Sequence, residues 1–202
     1  YFAGRQALFR QLAERGQRPE TLFITCSDSR IDPTRLCSAE PGELFIVRNV
    51  GNIVPHVSLP GGTAAAIEYA VEALDVQNVV VCGHTHCGAI QAVLHPATMD
   101  RLPFVKRWLA QTDRVRTIVR ERYQHLEGDA LVTAAVAENV LVQLENLRAF
   151  SFIAERLERG ALHLSGWVYS IETGTVFGFD PATSQFVDVT TPTAPPPPFA
   201  AP

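Results

Sequence analysis

The sequence predicts an α/β fold, a mostly parallel central β-sheet flanked by helices. Two observations carry the prediction. Short apolar, β-branched runs recur at 21–26, 44–50 and 78–83, and segments of helical period lie between and after them. The runs are nearly continuous in apolar residues rather than alternating, as strands covered on both faces should be.

The elements follow in chain order. Residues 3–15 place Leu8, Phe9 and Leu12 on one helical face, and Gly16 with Pro19 supplies the stop. The first strand runs to Cys26. Ile31-Asp32-Pro33 breaks the chain before a short helix around Thr34 to Cys37, and Pro41-Gly42 marks a turn. Leu44 to Val50 is the second strand. Residues 51–62, with Pro55, Pro60, Gly61 and Gly62, read as loop. Ala64, Ile67, Ala70, Val71 and Leu74 give the repeat of a helix over 63–74. The third strand spans 78–83, and a helix runs from near His86 to His95-Pro96. Residues 104–123 read as one amphipathic helix with Trp108 on its apolar side. Residues 130–158 read as helical, broken near Ala149-Phe150-Ser151. Leu162 to Tyr169 is a fourth strand, Glu172-Thr173-Gly174-Thr175 a turn, and 176–179 the start of a hairpin partner. Four consecutive prolines, Pro195 to Pro198, favour polyproline II and join neither sheet nor helix. We therefore expect one domain over 1–190 and a Pro-rich tail over 191–202. The first residue is Tyr1 rather than Met, so the N-terminal helix is expected to lack its beginning.

A chain of 202 residues suits one well-covered domain. A net charge of -4 and a pI of about 5.9 leave no basic footprint for nucleic acid. No apolar run reaches the roughly 18 residues of a membrane span, so no membrane partner is expected. The first residues lack the charged start and apolar stretch of a signal peptide. The four cysteines, Cys26, Cys37, Cys82 and Cys87, then point to thiolate chemistry or burial rather than disulfides, in a reducing, cytoplasmic compartment. There is no internal repeat and no Gly-rich phosphate loop after the first strand.

The chemistry-bearing residues gather at strand ends. The first strand runs into Cys26-Ser27-Asp28-Ser29-Arg30, and the third into Gly83-His84-Thr85-His86-Cys87-Gly88. In open α/β sheets, sites form at the carboxyl ends of strands. Zinc takes Cys sulfur and His nitrogen in tetrahedral geometry, so Cys26, His84 and Cys87 form a candidate set. Two thiolates and a neutral imidazole balance Zn²⁺ and leave one position open, the pattern of a catalytic site. Cys82 is a rival, since strand alternation lets it share a face with His84, but the turn leaves Cys87 freer. Asp28 and Arg30, each two residues on, would share the side of Cys26 in an extended segment. Asp28 either fills the fourth position or, paired bidentately with Arg30, stays off the metal and faces a zinc-bound hydroxide. His86 is either a second ligand or proton carrier, or a surface or capping residue. His56, His95, His125 and His163 read as structural or exposed, and Cys37 as core.

Cys26-x-Asp28-x-Arg30 with His84-x-x-Cys87 resembles the signature of the β-carbonic anhydrases. Pro41-Gly42-Glu43-Leu44-Phe45-Ile46-Val47-Arg48-Asn49-Val50, Ala66-Ile67-Glu68-Tyr69-Ala70, Val81-Cys82-Gly83-His84 and Gly166-Trp167-Val168-Tyr169 extend the resemblance over residues 5–180. It selects Cys87 over Cys82. Gln17, Phe45 and Tyr69 fall at positions matching the plant-like, open-site style. The other style uses a Trp near the first strand, and the two here are Trp108 and Trp167. The resemblance implies reversible hydration of CO2 to bicarbonate and a proton by a zinc-bound hydroxide, with one Zn²⁺ per subunit and Asp28 and Arg30 as catalytic residues. Phe45, Val50 and Tyr69 would form the apolar pocket for CO2. Gln17 would donate to a CO2 oxygen, and the Gly88 N–H would contact bicarbonate. It also implies a homodimer or higher oligomer in which sheets join, N-terminal helices wrap the partner, and Phe45 and Tyr69 come from the neighbour. Ala137-Glu138-Asn139-Val140, Glu145-Asn146-Leu147 and the Pro-rich tail resemble the carboxysomal branch, implying a scaffold partner for the C-terminal region and a location inside carboxysomes. The same ligands also suit a hydrolase of carbonyl sulfide or carbon disulfide, or a catalytically silent assembly protein that keeps zinc for folding.

Overall fold

The computed structural model describes residues 2–190. The tail expected over 191–202, and Tyr1, lie outside the described residues. Six strands form one sheet, in the order β2-β1-β3-β4-β5-β6. They are β1 (Thr21–Cys26), β2 (Leu44–Asn49), β3 (Asn78–His84), β4 (His163–Tyr169), β5 (Val176–Asp180) and β6 (Gln185–Asp188). The first four run parallel, and antiparallel pairing joins β4 to β5 and β5 to β6, so the sheet is mostly parallel as expected. Parallel pairing needs crossovers, and helices provide them. The register sets Cys26 opposite Asn49, Thr25 opposite Cys82, and His84 opposite Tyr169. The chain therefore leaves β1, β2, β3 and β4 along one edge of the sheet, and that edge holds the site.

Period-two alternation splits the core. Leu22, Ile24, Val79, Val81 and Val168 pack on the face covered by α7 (Gly128–Arg148), with its Val136, Val140, Leu144 and Leu147. Phe23, Val80 and Cys82 pack on the other face with Ile31 and Trp167. The rings of Phe23 and Trp167 meet edge to face at 6.0 Å. Two glycines let α7 lie close to the sheet. A Cβ on Gly83 would stand 2.9 Å from Val136 Cγ1, and one on Gly166 would stand 2.8 Å from Val140 Cγ1 and 2.9 Å from Leu144 Cδ1.

The smaller helices are α1 (Gln6–Arg15), α2 (Pro33–Leu36), α3 (Gly62–Glu68), α4 (Gly88–Leu94), α5 (Pro103–Leu109), α6 (Asp113–Arg122) and α8 (Ser151–Glu158). No residue of α1 is buried within one chain. The helix expected over 63–74 ends early as α3 and continues as a π-helical turn, Tyr69–Ala73, in which Leu74 N–H reaches Tyr69 O. The segment expected as one helix over 104–123 is three pieces, with a 3₁₀ turn at Ala110–Thr112 between α5 and α6. At that turn the Thr112 hydroxyl donates to Leu109 O at 2.6 Å, the local side-chain competition that interrupts a helix. β6 is four residues long, too short for a periodic signal. Among the described residues, no helix is long and apolar enough to cross a membrane.

Substituting Gly166→Ala should lower the free energy of unfolding by about 1–3 kcal/mol, because the added methyl overpacks α7. Urea denaturation would read this as a lower midpoint at unchanged slope. An unchanged midpoint would mean that α7 does not rest on the glycines.

Candidate metal centre

Three donors converge at the strand ends. Cys26 closes β1, His84 closes β3, and Cys87 caps the N-terminus of α4. All three are buried, and their ligand atoms lie within 4.8 Å of one another. The two Sγ atoms are 3.9 Å apart. His84 Nδ1 lies 2.8 Å from Thr85 O, so it donates there, and the proton on Nδ1 leaves Nε2 as a bare lone pair. That Nε2 is buried and has no hydrogen-bond partner among the described residues. A buried polar atom left so costs about 1–3 kcal/mol. An imidazole lone pair aimed between two sulfurs fits the nitrogen and sulfur preference of zinc, so the residues present suit the ion.

Backbone N–H groups prepare the sulfurs for negative charge. Gly51 N–H points at Cys26 Sγ across 3.4 Å. The Cys87 thiol draws the Cys26 thiol well below the ordinary range, against burial, with help from His84 and the N–H groups of Gly51 and Asp28. The same contact with Cys26 pushes Cys87 up, and burial adds to this, while N–H groups of Ile90 and Ala89 at the start of α4 pull the other way. Cys26 is thus the readier thiolate of the pair. Burial works against a proton on His84, yet Cys26 and the Thr85 carbonyl raise its pKa overall.

The loop that presents Gly51 is anchored by a polar row on α7. Asn139 Nδ2 donates to Gly51 O (3.1 Å), Val54 N–H donates to Gln143 Oε1 (2.9 Å), and Asn146 Nδ2 donates to Val54 O (3.0 Å). Gln143 in turn donates to Asn139 (2.9 Å), and Trp108 Nε1 donates to Val50 O (2.7 Å).

Asp28 and Arg30 do pair, but not through an extended segment. Arg30 N–H donates to Asp28 Oδ1 (2.9 Å) and Ile31 N–H to Asp28 O (3.3 Å), so residues 28–31 form a tight turn. Within it Arg30 Nε donates to Oδ1 (2.9 Å) and NH2 to Oδ2 (2.8 Å), a bidentate fork. Hydrogen bonds from this side chain hold the Asp28 carboxyl far below the usual carboxylate range. Asp28 Oδ2 stands 3.8 Å from His84 Nε2. Arg48 ties the turn down by donating to Cys26 O (3.2 Å), Asp28 O (2.6 Å) and Ile31 O (3.0 Å).

The other candidate residues fall in different places. Val50 follows β2, half exposed, beside Gly51. Gly88 opens α4 and is exposed, directly after Cys87. Gln17 is exposed in the coil before β1, at the far end of that strand from Cys26. Phe45 pairs with Leu22, also far from Cys26, and its ring lies 6.1 Å from that of exposed Tyr69. Within one chain Gln17, Phe45 and Tyr69 are therefore not brought to the metal donors. Cys82 is fully buried among Phe23, Ile31 and Val80, and burial pushes its thiol up, so it is no rival ligand. Cys37 is half-buried rather than core. The His86 side chain meets Glu172 and Asp129 and stands outside the donor group. Sequence reasoning missed Arg48, Asn139, Gln143 and Glu172, because nothing in their spacing tells which carbonyl or turn they reach.

The sequence model of the family described as "Carbonic anhydrase" matches residues 21–176. A carbonic anhydrase of Synechocystis sp. is 47% identical over 189 residues, 93% of this chain and 69% of that protein. One from Pseudomonas aeruginosa is 46% identical over 189 residues, 93% of this chain and 85% of that protein. Among solved structures, the β-carbonic anhydrase CcaA superposes with a TM-score of 0.91 at 46% identity, covering 93% of this chain and 92% of that one. Two tetrameric β-carbonic anhydrases of the ascomycete Sordaria macrospora are represented at TM-score 0.79 and 31% identity, with 88% of each chain covered.

Zinc-loaded protein should carry one zinc per chain, and Cys87→Ser should lose most of it while Cys82→Ala keeps it. Elemental analysis of desalted protein reads this. Equal zinc in both variants would disprove the ligand set.

Proposed function

Because the chain belongs to the carbonic anhydrase family, in its β class, we propose that it catalyses the reversible hydration of CO2 to bicarbonate and a proton. The cofactor is zinc, held by Cys26, His84 and Cys87. The observation that carries the reading is the bare His84 Nε2 between two thiols, with a clamped carboxylate oxygen 3.8 Å away. When bound, zinc supplies the Lewis acidity that turns water into a nucleophile near neutral pH.

The chain's own residues do the rest. Asp28, kept ionised by Arg30, accepts a hydrogen bond from the attacking water through Oδ2 and so aims its lone pair at the CO2 carbon. Arg30 occupies both oxygens of Asp28 and thereby holds the carboxylate off the metal position. Val50 offers an apolar wall beside the Gly51 loop. Gly88, directly after Cys87, offers its N–H to bicarbonate. Gln17, Phe45 and Tyr69 complete the pocket from a second copy: Phe45 and Tyr69 as apolar wall, Gln17 as donor to a CO2 oxygen. Support for the second copy lies in β2, an edge strand with exposed Ile46 and with exposed Val50 just after it, and in α1, none of whose residues is fully buried in its own chain. The tetrameric Sordaria macrospora enzymes add to it. A cytoplasmic location inside carboxysomes, with the C-terminal region on a scaffold protein, completes the reading. It draws on the four-proline run and on similarity to enzymes of Synechocystis sp. and Synechococcus elongatus.

Stopped-flow CO2 hydration on zinc-analysed protein tests the activity. Asp28→Asn should lower kcat by roughly 10²-fold, as expected when the charged hydrogen-bond acceptor that orients the attacking water is lost, with zinc still bound. Unchanged kcat in that variant would remove Asp28 from the mechanism.

A further inference from the structure

The Asp28–Arg30 pair sits on the turn after β1, yet part of what fixes it comes from the turn after β3. Among the described residues, the His86 carbonyl is the one partner of the Arg30 side chain besides Asp28; it accepts from NH2 at 3.1 Å. His86 presents that carbonyl from a left-handed backbone, at φ 51°. Positive φ is uncommon outside glycine, though histidine tolerates it better than most residues, so contacts that hold the turn help decide where this carbonyl points.

The surroundings are on the β4–β5 turn. Glu172 Oε2 accepts from the Thr85 hydroxyl (2.6 Å) and the Ser170 hydroxyl (3.0 Å), and Oε1 pairs with His86 Nε2. Thr85 is fastened twice more: its N–H donates to Tyr169 O (2.9 Å), and its hydroxyl oxygen accepts from Ile171 N–H (3.0 Å). One carboxylate therefore grips both residues between His84 and Cys87. The hydroxyl of Thr85 keeps that carboxylate ionised down to about pH 2.

We propose that Glu172 is a positioning residue for the Asp28–Arg30 pair: it clamps the Thr85-His86 turn in its left-handed form, so that the His86 carbonyl meets the Arg30 guanidinium. Without the clamp the turn relaxes, Arg30 loses its second anchor, and the carboxylate of Asp28 is no longer held in one orientation. The importance of that pair for turnover rests on the function proposed above; the clamp itself does not.

Zinc-loaded variants test it with two readouts, kcat and the ¹⁵N–¹H signal of Arg30 Nε. Glu172→Ala should lower kcat by about tenfold, the scale of releasing one left-handed residue, with zinc content and KM unchanged and the Arg30 signal broadened by solvent exchange. Glu172→Gln, which can still accept from Thr85 and Ser170, should restore most of both. His86→Val, which resists positive φ, should behave like Glu172→Ala, whereas His86→Asn, which tolerates it, should lose less. Equal losses in the two His86 variants, or an Arg30 signal unchanged in Glu172→Ala, would overturn the proposal. Should the wild-type protein hydrate no CO2, the proposed function falls, and the Arg30 signal alone decides the role of Glu172.

Discussion

The constraint on which the rest depends is the meeting of one imidazole lone pair with two sulfurs on three buried side chains. His84 Nε2 can accept but has no donor among the described residues, and Cys26 and Cys87 crowd it at the strand ends. A protein core seldom leaves a polar atom so. A cation held there would satisfy that lone pair, and the neighbouring groups favour it. The Thr85 carbonyl fixes the tautomer, and N–H groups from two segments face the sulfurs.

The fold meets this constraint by parallel register. With β1, β2 and β3 aligned, three chain exits fall side by side, and the donors need only be the last residues of strands or the first of a helix. The cover helix α7 does two things at once. Its Val136, Val140 and Leu144 press on the glycines of β3 and β4, while Asn139, Gln143 and Asn146 hold the loop that brings Gly51 to Cys26. The Asn139 and Gln143 amides are buried, and their hydrogen bonds make them tolerable there. Loop and core are thus coupled, so that a change in packing on α7 reaches the sulfur.

The sheet and the donor set were legible because each rests on local pattern. β-branched runs mark the parallel strands, and Cys26, His84 and Cys87 stand where those runs end. The Asp28–Arg30 pair was also legible, though its cause was misread: a side-chain-to-backbone turn, not an extended segment, brings the two together. The sequence cannot say how far apart strand ends lie, so Glu172 read as a turn residue and His86 as a cap. Helix continuity failed at Thr112 and at Tyr69, where single side-chain or backbone bonds overrode period. Gln17, Phe45 and Tyr69 mark the opposite limit, since one chain places them at the other end of the sheet from its own donors.

All of this returns to the atoms around the ion, and X-ray absorption at the zinc edge reads them directly. The account predicts two sulfurs at ~2.3 Å and a histidine nitrogen at about 2.0–2.1 Å, with one further light-atom neighbour. A first shell of four sulfurs, or one without sulfur, would contradict it.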